Sequence, residues 1–247
     1  MESSCPARAA DTQPLARRVI VNADDFGFTS GVNRGIIEAH EHGILTSASL
    51  MVRYPAAEEA AAYAKTHTQL SVGLHFEAGE WRYETGEWRL AYQVIDADNV
   101  DAVRAELARQ LDEFERLIGR APTHLDSHQH MHLSEPARAI FVEAADRLRV
   151  PVRSCTPAVV YNGGFYGQTT QGEPYPEGIS ADHLARLIES LPAGWTELGA
   201  HPGYADALDS VYALEREQEV RALCAPQVRE ALASEEVQLC SFHNLSP

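Results

Sequence analysis

The chain has 247 residues, of which 45% are hydrophobic, and this is enough for one sizeable domain with a buried core. Its formal net charge is −16, from 20 basic and 36 acidic side chains, so its surface repels nucleic-acid phosphates and anionic lipids. Nucleic acids and membrane surfaces are therefore poor partner candidates. Residues 1–17 lack the apolar run of a signal peptide, and no stretch approaches the roughly 18 apolar residues that span a bilayer, so we expect a cytoplasmic protein.

The chain order alternates short β-rich runs with segments of helical period. Residues 1–17 are expected to form a disordered tail, and residues 18–247 a single domain. Strands are predicted at 18–22, 44–52, 70–76, 123–127, 150–154, 196–200 and 236–242. Helices are predicted at 31–42, 55–65, 103–117, 135–148 and 181–190, with one or two more before the last strand. An aromatic loop, 77–96, follows the third strand, and a Gly/Tyr/Pro loop reaching Gly178 follows the fifth.

Seven strands that alternate with helices predict parallel pairing through βαβ crossovers, which defines an α/β fold. An open doubly wound sheet and a distorted barrel both fit this order. The polar residues at the strand ends favour a barrel, because a closed sheet brings the carboxyl ends of its strands around one face. We therefore predict a single-domain, seven-stranded, TIM-like (β/α) barrel.

Two adjacent carboxylates, Asp24 and Asp25, follow the first strand. Neighbouring side chains of an extended chain point to opposite faces, so one carboxylate can bind a cation while the other handles a proton. A turn that caps the next segment explains the pair about equally well, because Asp and Gly are common turn residues.

The segment Thr123–His132 carries a polar residue at every second position. These residues are His124, Asp126, His128, His130 and His132. In an extended chain they would share one face, and their nitrogen and oxygen atoms suit zinc or another divalent first-row metal held by three protein ligands. The remaining members would orient the ligands or bind substrate. A polar edge strand is the alternative, whereas a closed structural zinc site is disfavoured because no cysteine accompanies these histidines.

Three further residues at strand ends have two interpretations each. His75 ends the third strand, where a lone histidine is more often a hydrogen-bonded core residue than a ligand. His201 lies at a Pro-Gly break after the sixth strand, which suits a proton donor at a rim or a plain turn. Arg153 ends the fifth strand and would either hold a carboxylate or be exposed.

Together these motifs resemble the YdjC-like carbohydrate deacetylases, a family of chitooligosaccharide deacetylases and hopanoid-associated relatives. The motifs are Asn22-Ala-Asp-Asp-Phe-Gly27, Asn33-Arg-Gly-Ile36, Gly73-Leu-His75, the segment 123–132 and His201-Pro-Gly203, in that order across residues 18 to 243. The resemblance implies an irregular seven-stranded (β/α) barrel. It also implies one divalent metal ion, zinc or magnesium, held by Asp25, His75 and His128, with Asp24 as general base and His201 as the acid. The loop 77–96 and the residues near Arg53 depart from the family pattern, which leaves the substrate open.

The sequence thus predicts a metal-dependent hydrolase of amide bonds, a carbohydrate deacetylase. Metal-activated water would remove the N-acetyl group of an amino sugar, oligosaccharide or glycoconjugate, with His201 titrating near neutrality to protonate the amine. His130, Trp81 and Trp88 are the candidate substrate-binding residues, because aromatic rings offer flat surfaces to sugars. The alternatives are a hydrolase of another amide, an ester or a phosphate, and a non-catalytic sugar-binding protein. A homodimer is one option for the assembly.

Overall fold

A computed structural model describes residues 16–84, 86–206 and 212–245 of the chain. Most of the predicted disordered tail, residues 1–15, lies outside the described residues. Its last two positions, Ala16 and Arg17, are described, and the first strand already begins at Arg17.

The described residues form nine strands, seven α-helices and three short 3₁₀ helices. The strands are β1 (Arg17–Phe26), β2 (Ser47–Leu50), β3 (Ser71–Phe76), β4 (Gly79–Glu84), β5 (Glu87–Gln93), β6 (Leu125–Ser127), β7 (Val159–Asn162), β8 (Gly194–Ala200) and β9 (Gln238–Cys240). The α-helices are α1 (Ser30–His42), α2 (Ala57–Thr66), α3 (Val100–Ile118), α4 (Ala137–Leu148), α5 (Ala181–Glu189), α6 (Leu214–Leu223) and α7 (Pro226–Ser234). The 3₁₀ helices are His128–Leu133, Pro176–Ile179 and Phe242–Asn244.

The main sheet is parallel, with the strand order β6-β3-β2-β1-β8-β7, and β9 pairs with the first half of β1. The sheet curls, so that side chains from distant strands meet on its concave face. Arg153, whose backbone pairs with Leu125 at the β6 edge, contacts Asp24 of β1 and Glu197 of β8. The curl brings the carboxyl ends of the strands together, as predicted for an α/β fold.

The structure shows an open half-barrel where a closed barrel was predicted. In the described ranges, β6 and β7 are the two edges and no backbone pairing joins them. The predicted fifth strand, 150–154, is reduced to one bridge between Val152 and Leu125. Its extension stops because Ser154 has a left-handed backbone, with φ of 57°, and the next strand, β7, starts only at Val159.

The predicted aromatic loop, 77–96, contains an antiparallel hairpin of β4 and β5. Trp81 pairs with Leu90, and Tyr83 pairs with Trp88, whose rings meet edge to face with centroids 5.5 Å apart. Cross-strand aromatic pairs of this kind stabilise a two-stranded sheet. The loop is therefore an ordered wall beside the carboxyl end of β3.

Helices α1 and α3 pack directly on the sheet, against β1 and β3. Helix α3 is capped at its start by Asn99, whose side chain accepts a hydrogen bond from the Ala102 amide, and at its end by Gly119 in a left-handed conformation. Its predicted apolar face, including Phe114, is buried. None of the helices in the described part of the chain has the length and hydropathy needed to cross a membrane.

Candidate metal centre and active site

Asp24 and Asp25 both face the concave side of the sheet, although alternation along a strand predicts opposite faces. The cause is a left-handed backbone at Asp25, with φ of 66°, and the register between β1 and β2 shifts over the same stretch, between Ala23 and Phe26. Aspartate adopts this conformation more easily than most residues. The prediction of opposite faces was wrong, because it assumed an extended chain through the end of β1.

Asp25, His75 and His128 bring three potential metal-ligating atoms together. The Asp25 Oδ1 atom lies 3.3 Å from His75 Nε2 and 3.4 Å from His128 Nδ1, and the three atoms lie within 4.8 Å of one another. Oδ1 is buried and has no hydrogen-bond partner among the described residues. Two imidazole nitrogens and one carboxylate oxygen that face one another form a donor set that suits a divalent cation. The residues therefore fit the metal that the family resemblance implies.

Asp126 orients the first of these histidines. Its Oδ1 lies 2.7 Å from His75 Nδ1, so a proton on Nδ1 leaves the lone pair of Nε2 directed at Asp25. Burial disfavours a charged imidazole, but the carboxylates of Asp126, Asp24 and Asp25 raise the pKa of His75 to about 10. These carboxylates favour positive charge at Nε2, whether a proton or a metal ion supplies it.

Arg216 holds the other oxygen of Asp25, and sequence reasoning missed it. Its Nη2 lies 2.6 Å from Asp25 Oδ2, and its Nη1 donates to the carbonyl of His201 at 3.3 Å. Burial disfavours the charged carboxylate, but Arg216 and the two histidines hold the pKa of Asp25 well below its usual range. Arg216 thus leaves Oδ1 as the oxygen that faces the histidines and links Asp25 to the backbone of His201.

Arg153 holds Asp24 through two parallel hydrogen bonds, from Nη1 to Oδ2 at 2.7 Å and from Nη2 to Oδ1 at 2.6 Å. Of the two interpretations of Arg153, the structure shows the buried one. The guanidinium also contacts Asp126 at 2.8 Å and Glu197 at 2.7 Å. Burial opposes ionisation of Asp24, yet Arg153 lowers its pKa below the ordinary value. Asp24 is therefore a carboxylate of fixed orientation at neutral pH.

Glu197 on β8 is a buried acid that the sequence did not single out. Burial, together with the charges of Asp126 and Asp24, raises its pKa to about 7 despite the contact with Arg153. Three carboxyl groups thus surround one guanidinium. The guanidinium of Arg153 offsets part of their negative charge.

His201 lies near the Oδ2 atom of Asp24, which also accepts a hydrogen bond from Arg153. Its Nε2 is 3.8 Å from Asp24 Oδ2, its side chain is 21% exposed, and its backbone amide donates to Glu219 of α6. Burial lowers the pKa of His201 to about 4. This pKa lies below the near-neutral value expected from the sequence and favours a neutral imidazole at pH 7.

The alternation predicted for the segment 123–132 ends at His128, because a 3₁₀ helix starts there. His124 is buried, stacks on Phe242 with centroids 3.9 Å apart, and burial lowers its pKa to about 3. His132 is also buried and bonds to Ser127. These two histidines support the core and lie outside the ligand cluster. His130 lies in the cavity, edge to face with Tyr161.

A cavity of about 820 Å³ opens above the cluster. Trp81 and Trp88 of the hairpin line one side and are 51% and 56% exposed. On another side Tyr166 stacks on Tyr212 with centroids 4.7 Å apart, and both rings contact His201. The two tryptophans were predicted, but the tyrosine pair was not. An aromatic cavity with a few convergent polar groups is typical of a small-molecule site.

Comparisons with known proteins show which sequences and folds the chain is similar to. The family model described as YdjC-like protein matches residues 18–234. The chain is 34% identical to a carbohydrate deacetylase of Geobacillus stearothermophilus, over 92% of this chain and 98% of the relative. It is 33% identical to a chitooligosaccharide deacetylase of Serratia marcescens, over 94% of this chain and all of the relative.

Two solved structures share the fold. A protein of Enterococcus faecalis, provisionally described as a cellobiose-phosphate cleavage protein, superposes with a TM-score of 0.77 at 24% identity, covering 94% of this chain and all of that one. A family 4 carbohydrate esterase of Streptomyces lividans, solved with acetate, gives a TM-score of 0.55 at 13% identity, covering 92% of each chain.

Proposed function

Because the chain belongs to the YdjC-like protein family, we propose that it is a metal-dependent carbohydrate deacetylase. The observation that carries the proposal is the buried Oδ1 of Asp25, which faces His75 and His128 without a hydrogen-bond partner among the described residues. The relatives named as deacetylases support the reaction class. One domain spanning residues 18–247 is part of the proposal, and the pairing of β9 with β1 supports it.

Asp25, His75 and His128 would hold the metal ion. A divalent ion bound there would supply a Lewis acid that polarises an acyl carbonyl and lowers the pKa of water toward about 7. Two imidazoles and one carboxylate favour zinc over magnesium, because magnesium prefers oxygen ligands and retains its water. Asp126 and Arg216 would keep the ligand atoms of His75 and Asp25 in place.

Asp24 and His201 would move the proton. Asp24 is ionised and oriented by Arg153, so it can accept a proton from the attacking water. His201 is neutral and lies 3.8 Å from Asp24 Oδ2, so it can take up this proton on Nε2 and deliver it to the departing amine nitrogen. The water thus supplies its oxygen to the acyl group and its proton to the amine. No resting imidazolium is needed.

The aromatic lining supports an N-acetylated amino sugar, alone or within an oligosaccharide or glycoconjugate, as the substrate. Trp81 and Trp88 line the cavity and are more than half exposed, and indole rings offer flat surfaces that suit the C–H faces of a sugar ring. His130 lies on the cavity wall beside Tyr161 and would contribute a polar contact.

Parallel metal and activity measurements on one ligand variant test the proposal. His128→Ala should lose both the metal, read by elemental analysis, and acetate release from N,N′-diacetylchitobiose. His67→Ala, at an exposed position after α2, is the matched control and should retain both. Full metal content in the His128→Ala protein would remove His128 from the site. Hydrolysis of a phosphate or another ester, with no acetate from any N-acetylated sugar, would favour a different hydrolase.

A further inference from the structure

Two glutamine side chains hold the segment that contains the β4–β5 hairpin in the same way. Gln129 accepts a hydrogen bond from the Trp81 amide at 2.8 Å and donates to the Trp81 carbonyl at 2.6 Å. Gln110 of α3 accepts from the Glu77 amide at 3.1 Å and donates to the Glu77 carbonyl at 2.7 Å. Each side-chain amide therefore pairs with one backbone residue as a neighbouring strand would.

The two glutamines differ in what they connect. Gln110 is fully buried and ties Glu77, two residues after His75, to helix α3. Gln129 is exposed and directly follows the proposed ligand His128, so its two hydrogen bonds join the hairpin to the segment that carries the metal centre. Trp81, which it holds, belongs to the aromatic wall of the cavity.

The backbone at Gln129 is strained in a way that serves this contact. Gln129 and His130 are consecutive left-handed residues, with φ of 52° and 54°, and neither is a glycine or an asparagine. Such conformations persist only where the surroundings fix them, and they concentrate at functional sites. Here the turn allows the chain to leave β6, present His128 to Asp25 and still direct the next side chain to the hairpin.

We propose that Gln129 is a positioning residue that fixes the Trp81–Trp88 wall relative to the metal centre and so sets sugar affinity. This inference rests on the proposed function, since it assumes that the wall contacts the sugar. The wall would touch ground state and transition state alike, so a displaced wall raises KM and leaves kcat largely intact. The metal ligands do not depend on the side chain of Gln129, so metal content should not change.

The main test variant is Gln129→Asn. Asparagine keeps the amide and adopts the left-handed conformation more readily, but it is one methylene too short to reach Trp81. Gln129→Gly removes the side chain and the strain together. If the side-chain hydrogen bonds position Trp81, both variants should release it and raise KM. If only the left-handed backbone at position 129 matters, Gln129→Gly should behave as wild type, because glycine adopts this conformation without strain. Gln227→Asn on α7, where the exposed Gln227 bonds to Asp182, is the matched control.

Three readouts are measured on the zinc-loaded full chain: metal content, exchange of the Trp81 amide hydrogen, and kinetics on N,N′-diacetylchitobiose. We expect unchanged metal and faster Trp81 exchange in both Gln129 variants. Losing two hydrogen bonds should raise KM roughly 5- to 30-fold, with kcat within about twofold of wild type. Gln227→Asn should match wild type throughout.

An unchanged rate of Trp81 amide hydrogen exchange in Gln129→Asn would show that Gln129 does not hold the Trp81 backbone. Faster Trp81 amide exchange with an unchanged KM would show that Gln129 has no role in sugar affinity. A fall in kcat with loss of metal would show that Gln129 acts on the metal centre instead. A wild-type protein that releases no acetate from any N-acetylated sugar would refute the proposed function and with it the role of Gln129 in sugar affinity. The amide exchange measurement would still show whether Gln129 holds the Trp81 backbone.

Discussion

Replacing Asp126 by asparagine tests how the buried polar network controls metal binding. Asp126 is fully buried, and its Oδ1 lies 2.7 Å from His75 Nδ1, where it fixes the tautomer that leaves Nε2 free for a metal ion. Its Oδ2 accepts hydrogen bonds from Ser49 at 2.6 Å and lies 2.8 Å from an Arg153 nitrogen. Asparagine has the same shape, so the change removes the charge and turns one acceptor into a donor.

The magnitude follows from these contacts. A hydrogen bond to a charged group is worth about 1.5–3 kcal/mol, and a factor of ten corresponds to about 1.4 kcal/mol. The asparagine carbonyl can still accept from His75, so part of the contact survives. We therefore expect metal affinity to fall about 10- to 100-fold, as is typical when the partner of a ligating histidine is lost. The new side-chain amide would also point N–H donors at the guanidinium of Arg153 and displace it. Because Arg153 orients Asp24, kcat at saturating metal should fall as well.

The assay is a zinc titration of metal-free protein against a competing chelator, followed by acetate release at saturating zinc. Asp112→Asn on α3, where the carboxylate is exposed, is the control and should bind zinc as wild type does. An unchanged zinc Kd in a folded Asp126→Asn protein would refute the reasoning that Asp126 orients a metal ligand.

Three further outcomes are expected. Asp24→Asn should keep its metal and lose roughly 10²- to 10⁴-fold in kcat, the range of general-base contributions, whereas loss of the metal would place Asp24 among the ligands. Trp81→Ala and Trp88→Ala should each raise KM for acetylated sugars more than they lower kcat, and equal rates on acetanilides and sugars would contradict the sugar assignment. Deleting residues 1–15 should change Tm and activity little, as differential scanning calorimetry and acetate release can check, and a large drop in either would show that this segment docks on the domain.

The sequence predicted most of the helices and six of the strands in their order because periodic patterns are local, but β7 (Val159–Asn162) lies in a segment predicted as a loop. The prediction of a strand at 150–154 was wrong because a left-handed Ser154 ends the extended chain after one bridge. The conformational preference of serine does not signal this turn. The hairpin of β4 and β5 was missed because its aromatic residues, interrupted by Gly86, were interpreted as a loop. The closure of the sheet depends on how strand edges meet, which a pattern of single strands does not encode.

The site was partly predictable because several of its residues belong to short motifs at strand ends. Asp25, His75 and His128 meet as the family resemblance implies, since each lies at or directly after the carboxyl end of a parallel strand. Arg216 was missed because it lies 191 residues from its partner Asp25 and sits in a helix whose charged residues resemble a solvated surface. The extended alternation in segment 123–132 failed because the 3₁₀ helix from His128 to Leu133 places His132 in the core.

Metal removal from the wild-type protein tests the central claim most directly. The protein is stripped with a chelator, shown by elemental analysis to be metal-free, and assayed for acetate release from N,N′-diacetylchitobiose before and after zinc is returned. The geometry of Asp25, His75 and His128 predicts that release stops on stripping and returns with one zinc ion per chain. Undiminished release from the metal-free protein would contradict the assignment of these residues as a catalytic metal centre.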